Sequence, residues 1–252
     1  MYYILDTNIW IDVAQGKIAC TKLKKPGIEL ALAPIMLTEL VRGVVKGGES
    51  QFPRNRALFD CMAQVASSVL ELPKVFIFIT LWKINQGVSG VRPHHYLMLI
   101  NMLIQAKSHA EFLKAAEAPG SPWTKMTRLD PIHEGVLDYE LGFLRPLAAK
   151  ASIKTLQVHM ARQYKVSGLL PDPDSFERTF SAAVEFLKSS VAKVRNGANP
   201  KKNDRGLYID SQLFWYLGDA DAVIVTNEDF SNEIRVSPQR NRIISLDTFL
   251  RL

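Results

Sequence analysis

Two short apolar runs near opposite ends of the chain, Tyr2 to Leu5 and Ala222 to Thr226, limit the fold more than any other feature. Each is apolar throughout instead of alternating, the pattern of a strand buried on both faces. The first stops at Asp6, where a buried strand emerges from its sheet, and Asp6 or Thr7 can cap a following helix that carries Ile9, Trp10 and Val13. After a basic connection from Lys22 to Gly27, Ile28 to Ala33 reads as a second strand that Pro34 ends. Met36 to Val45 reads as a helix stopped by Gly47 and Gly48. The tail repeats the alternation: a polar loop Asn196 to Gly206, a helix Leu207 to Leu217, the Ala222 to Thr226 strand, a last strand Arg242 to Ser245 and a terminal helix. Strands alternating with helices predict an α/β fold with a parallel sheet built from both chain ends.

From about Glu49 to Arg195 the pattern is helical, with stretches at Asn55 to Val69, Pro93 to Ala116, Ile132 to Tyr164 and Ser175 to Val194. Pro146 should break the third, and Gly120, Pro122, Pro171 and Pro173 mark loops. No fixed period repeats. The expected organisation is therefore an α/β core of residues 1–46 plus 196–252, with 47–195 as a mostly helical insertion or cap packed on it. The apolar runs Val75 to Trp82 and Tyr96 to Ile104 fall short of the roughly 20 residues a membrane helix needs, so both read as core and no membrane association is expected.

Net charge of +6 makes a polyanion a more natural partner than a polycation. Cys20 and Cys61 lie far apart without Cys or His neighbours at ligand spacing, so neither a disulfide nor a zinc site is expected. A reducing cytoplasm fits that reading. The sequence Met-Tyr-Tyr-Ile-Leu-Asp has no basic stretch followed by an apolar one, so no secretion signal is expected.

In an open parallel sheet, functional groups gather outside the carboxyl ends of the strands. Asp6, Glu39 and the Glu228-Asp229 pair fall at or near such ends, and Asp210 opens the helix that precedes the Ala222 to Thr226 strand. Converging carboxylates repel one another unless cations neutralise them, and hard oxygen ligands suit magnesium or manganese. Such a site can hydrolyse a phosphodiester without a Ser or Cys nucleophile.

At these residues the chain resembles the PIN domain family, which includes the toxin ribonucleases of bacterial toxin–antitoxin pairs. Asp6-Thr7-Asn8 after an apolar strand resembles the family's first motif, and Pro34 to Gly43, with Glu39 near the start of a helix, its second. Asp210 with the helix Ser211 to Leu217 is similar to the third, Val223 to Phe230 to the fourth, and Ile243 to Leu250 to the last strand and tail. The resemblance covers residues 1–46 and 203–252. It implies an open parallel sheet sandwiched by helices, the helical insertion lying between the second and third motifs. It also implies a metal-dependent endonuclease, acting on RNA in preference to DNA, with Asp6, Glu39, Asp210 and Glu228 as catalytic carboxylates around Mg²⁺ or Mn²⁺. Where the family has Asp two residues after the threonine, this chain has Glu228, followed by Asp229. Glu228 keeps the spacing and Asp229 the chemistry, so either can be the fourth ligand, with Glu228 preferred. Asn8 and Thr226 are implied as orienting groups, Asp204 as a further acid on the approach to Asp210, and Arg42 as a basic residue one turn from Glu39 able to meet phosphate. A cognate antitoxin and a second copy of the chain are further partners that such a resemblance admits.

Simpler roles exist for each residue. Asp6 and Asp210 can be helix caps, Glu39 a first-turn acid favoured by the helix dipole, and Glu228-Asp229 a surface turn. Lys201, Lys202 and Arg205 make the Asn196 to Gly206 loop either a phosphate clamp or a solvated loop. His94 and His95 favour a capping or core role, and Phe76, Phe78 and Trp82 read as core packing. Two functions from different classes follow: the nuclease, and a catalytically silent PIN-like module that binds RNA or a protein while its acids serve folding. A phosphohydrolase of another α/β fold would call for a phosphate-cradling glycine loop, which the sequence lacks.

Overall fold

The computed structural model describes residues 1–82, 91–124, 173–195, 212–227, 229 and 234–252. Five strands form one sheet in the order β3-β2-β1-β4-β5: β1 (Tyr2–Leu5), β2 (Glu29–Leu32), β3 (Ala66–Val69), β4 (Ala222–Val225) and β5 (Ile243–Ile244). Every pairing is parallel. The two end runs of the sequence lie side by side at the middle, Tyr2 opposite Ala222 through to Leu5 opposite Val225. Ile4, Leu5 and all four β4 residues are buried, as a doubly covered parallel sheet requires.

The helices follow from the same sequence signals. In α1 (Thr7–Ala14) the N-cap is Asp6, so Thr7 is the first helical residue. Helix α2 (Pro34–Lys46) starts two residues earlier than expected. Pro34 does end the strand, but it also occupies the first turn of the helix, where its missing N–H costs nothing. The following helices are α3 (Phe52–Val65), α4 (Pro73–Trp82), α5 (Pro93–Gln105), α6 (His109–Glu117), α7 (Pro173–Thr179), α8 (Ser181–Arg195) and α9 (Leu246–Arg251). Chain crossovers move one way from β1 through β2 to β3 and the other way from β4 to β5. With the right-handed crossovers that parallel strands adopt, connections moving in opposite directions cover opposite faces of a sheet. Packing divides accordingly: α1 against α2 and α3, with α5 on α3, and, separately, α4 and α8 against the 3₁₀ segment Gln212–Gly218.

Four differences from the sequence expectations have physical causes. The helix expected over Asn55 to Val69 ends at Val65 and gives way to β3, because Ala66-Ser67-Ser68-Val69 is an edge strand whose central residues face solvent and so lacks the apolar run of β1 or β4. Its position is fixed by main-chain pairing and by the Ser67 hydroxyl, which donates to the Leu30 carbonyl at 3.0 Å. The expected helix Pro93 to Ala116 is two helices. Ser108 accepts from the Glu111 N–H at 3.1 Å and the Glu111 carboxylate accepts from the Lys107 N–H at 2.8 Å, a Ser-x-x-Glu capping arrangement that starts α6 afresh. The Ser175 to Val194 stretch likewise divides, at the fully buried Phe180. Finally, Cys20 and Cys61 form a disulfide, their Cα atoms 5.8 Å apart, which corrects the expectation of none. Distance along the chain concealed it: Cys61 lies on α3, which packs against α1, just upstream of Cys20. The pairing also removes the ground on which a reducing compartment was expected.

The described part of the middle, α3 to α8, joins the same hydrophobic core as the sheet. Helix Ile132 to Tyr164, Pro146 and the loop Asn196 to Gly206 lie outside the described residues. So does the start of the helix expected over Leu207 to Leu217, whose described remainder is the 3₁₀ segment. Among the described residues no helix is long and apolar enough to cross a membrane.

Around β4 and β5 the chain is held by polar groups. Gln239 is buried, accepts from the Ala182 N–H at 2.9 Å and donates to the carbonyls of Thr179 and Leu217 at 2.7 and 2.8 Å. The Arg242 guanidinium donates to the carbonyls of Leu217, Asp219 and Ala222, collecting the ends left open by the 3₁₀ segment. Burial pulls the pKa of Arg242 below its ordinary value. Gly218 lies so close to the Phe180 ring that a Cβ there would stand 2.3 Å from a ring carbon, so the position admits no side chain without repacking.

Candidate active site

Strand β1 is the central strand, and the chain leaves it toward β2 while the tail builds out through β4 to β5 on its other side. The β1/β4 boundary is therefore the topological switch point, the position at which open α/β sheets bind their ligands beyond the carboxyl ends of the strands. The first residues past the two strand ends are Asp6 and Thr226. The ladder continues one step beyond the strands to set their height: the Asp6 N–H donates to Val225 O at 3.0 Å and the Thr226 N–H to Ile244 O at 3.0 Å.

Asp6 is fully buried, and both of its carboxylate oxygens have donors. Oδ1 accepts from the Asn8 N–H at 2.5 Å, the N-cap bond of α1, and Oδ2 accepts from the Thr226 hydroxyl. The capping role and the placement at the switch point thus coexist in one side chain. Glu39 arrives from the neighbouring strand's helix. It lies in the second turn of α2, half-buried, and its Oε2 accepts from the Thr7 hydroxyl at 2.8 Å. Because α2 begins at Pro34, Glu39 is too far along to be the first-turn acid of the simpler reading. Two carboxylates distant in sequence are in this way attached to adjacent residues, Asp6 itself and Thr7.

The three donors named here, two hydroxyls and one amide, are neutral. They orient the carboxylates. Carboxylate oxygens are the ligand type that Mg²⁺ and Mn²⁺ take, alongside retained waters, so Asp6 and Glu39 are the described residues that could contribute to such a site. Among the described residues no group of three or more His, Cys, Asp or Glu side chains is placed to hold a metal ion. Of the other expected ligands, Asp210 and Glu228 lie outside the described residues, as do Asp204, Lys201, Lys202 and Arg205. Asp229 is described and exposed, Arg42 is half-buried one turn beyond Glu39, and Asn8 is exposed with its backbone N–H on Asp6.

Thr7 was not among the site residues expected from the sequence. The Asp-Thr-Asn run offered it only as a cap, and nothing in the chain's order tells that its hydroxyl reaches α2. A second cluster also went unread. Glu71 follows β3 at the same edge of the sheet, and its Oε1 lies 3.7 Å from Arg92 at the start of α5. Burial raises the Glu71 pKa, with Arg92 and then His94 opposing the shift. His95 takes the capping role expected of it, its Nδ1 accepting from the Arg92 N–H at 3.1 Å, while His94 is exposed. Neighbouring Phe76 packs edge-on against Tyr216, as a core aromatic does.

Comparison with known proteins returns no match for this chain among protein-family models, curated proteins or solved structures.

Proposed function

We propose that the chain is a PIN-like, metal-dependent endonuclease that hydrolyses phosphodiester bonds in nucleic acid, RNA before DNA. The observation that carries this reading is Asp6 at the β1/β4 switch point, with Thr226 of the adjoining strand end on it and Glu39 bonded to the next residue, Thr7. Asp6 and Glu39 would hold a Mg²⁺ or Mn²⁺ ion, with Asp210 and Glu228 or Asp229 as the remaining carboxylates that the motif order supplies. When bound, such a cation supplies the Lewis acidity that phosphodiester hydrolysis needs.

The chain's own groups divide the rest of the work. Thr226 and the Asn8 N–H keep both Asp6 oxygens oriented at the switch point. Arg42 offers a positive charge one helical turn from Glu39, suited to a phosphate of the incoming strand. Lys201, Lys202 and Arg205 would engage further phosphates, which gives affinity but no sequence preference.

One observation favours a second reading. Asp6 is fully buried and already employed as a helix cap, so the acids can serve folding in a catalytically silent module that binds RNA or a protein. Incubating purified protein with labelled RNA and DNA in magnesium, manganese or chelator separates the two. Metal-dependent cleavage that chelator abolishes supports the nuclease. Binding without cleavage under every metal condition supports the silent module.

A further inference from the structure

We propose that Thr7 is a positioning residue: its hydroxyl sets the orientation of the Glu39 carboxylate and so determines how tightly the Asp6–Glu39 pair holds a divalent cation. The inference rests on the metal-dependent reading above and names a residue beyond the acids and orienting groups which that reading assigns.

The helix does not need this hydroxyl. The N-cap position is filled by Asp6, whose carboxylate satisfies the Asn8 N–H, so Thr7 is not required as a cap. Inside a helix a threonine hydroxyl commonly bonds back to the carbonyl four residues earlier, as Thr38 does to Pro34 O at 2.9 Å. For Thr7 the residue four back is Tyr3, within β1, whose main chain pairs with neighbouring strands. Its hydroxyl is directed between elements instead, 2.8 Å from Glu39 Oε2, in a side chain only 4 % exposed.

The acceptor explains what the bond accomplishes. Glu39 has three rotatable side-chain bonds and is half-buried, so losing the Thr7 donor widens the set of rotamers that a cation must order. Thr7 is β-branched, with few χ1 states, and its backbone is pinned between the end of β1 and the first turn of α1. A donor held this firmly transfers the rigidity of the sheet edge to an acid on another helix. The same short stretch then governs both carboxylates: Asp6 directly, Glu39 through its neighbour. Outer-shell partners of this kind contribute to metal affinity without touching the metal.

The test is titration of the full chain with Mn²⁺ by calorimetry, with thermal melts of every variant. Wild type should bind. Thr7→Val keeps the branched shape and removes the donor, so its affinity should fall about 10-fold or more. Thr7→Ser, which restores the donor, should stay near wild type. In a Glu39→Gln background the Thr7→Val change should cost little further, because its effect passes through Glu39. In cleavage assays the same variant should raise the Mn²⁺ concentration needed for half-maximal rate and leave the KM for RNA unchanged. A Thr7→Val protein that folds and binds Mn²⁺ as tightly as wild type overturns the inference and leaves the nuclease reading intact. A wild type that neither binds Mn²⁺ nor cleaves removes that reading, and the inference with it. If Thr7→Val and the second donor-free variant Thr7→Ala both fail to fold, the hydroxyl serves folding and the inference is overturned.

Discussion

The two halves of the sheet flanking the switch point are held together by different means. On the β1–β2–β3 side the elements follow one another closely in sequence, pack through apolar faces and are tied by the Cys20–Cys61 disulfide. On the β4–β5 side the chain returns from a long excursion, and Gln239 and Arg242 gather carbonyls from three separate segments. Asp6 and Glu39 of the candidate site belong to the first half, and Asp229, the described candidate acid of the second half, is exposed. The second half contributes the neutral Thr226 hydroxyl. Carboxylates that must stay oriented against mutual repulsion thus sit on the locally closed, covalently tied half.

The largest effect should come from removing charge in the first half. Asp6→Asn keeps a side chain that can still accept the Asn8 N–H, yet lacks the charge to hold a cation, so cleavage should fall by more than the roughly 100-fold that marks the upper range for outer-shell partners. RNA binding in gel shifts across a salt series should hold or strengthen, because one acid fewer faces a polyanion. If clean Asp6→Asn protein cleaves at the wild-type rate, the acids of the first half are not catalytic.

Next in size is the covalent tie. For the 41-residue separation it closes, loop-closure entropy gives about 4 kcal/mol as an upper figure. Cys61→Ser should lower the Tm of oxidised protein toward that of reduced wild type, and reductant should then have no further effect. A melt of wild type that ignores reductant would show that the first half depends on packing alone.

Gln239→Ala tests the polar clasp of the second half. It strands the Ala182 N–H and two carbonyls, for about 2 kcal/mol of stability lost. Melts should show the loss with Mn²⁺ affinity unchanged, since Asp6 and Glu39 lie in the other half. A matching loss of Mn²⁺ affinity would erase the distinction between the halves.

The smallest effect concerns Glu71 at the outer edge of the first half. Its pKa is raised in the folded protein, so ionisation disfavours the folded state at pH above both the folded and unfolded values. Glu71→Gln should therefore raise the Tm slightly at neutral pH, and the gain should vanish as pH falls through the acidic range where the wild-type carboxyl is protonated in both states. A gain that persists at acid pH would point to packing instead of charge.

Legibility followed the physics of each segment. Strands β1 and β4 were readable because strands covered on both faces must be apolar throughout, and Asp6 because a charge directly after such a run can only lie at the sheet's edge. The capping of α6 was written in Ser108 and Glu111 and passed over inside a longer apolar pattern. Strand β3 carries no comparable signal: an edge strand with exposed serines is specified by its pairing with β2.

Local composition by itself determined the α/β class, the run-then-acid pattern at both chain ends and the start of the first helix, since burial periodicity and capping act over a few residues. Only the tertiary structure decided that β1 and β4 are neighbours, that Cys20 meets Cys61, and that Thr7 reaches Glu39 while Thr226 reaches Asp6. Those pairings join residues up to 220 positions apart. They depend on the order in which strands enter the sheet and on which face each crossover takes, and no local pattern of side chains encodes either.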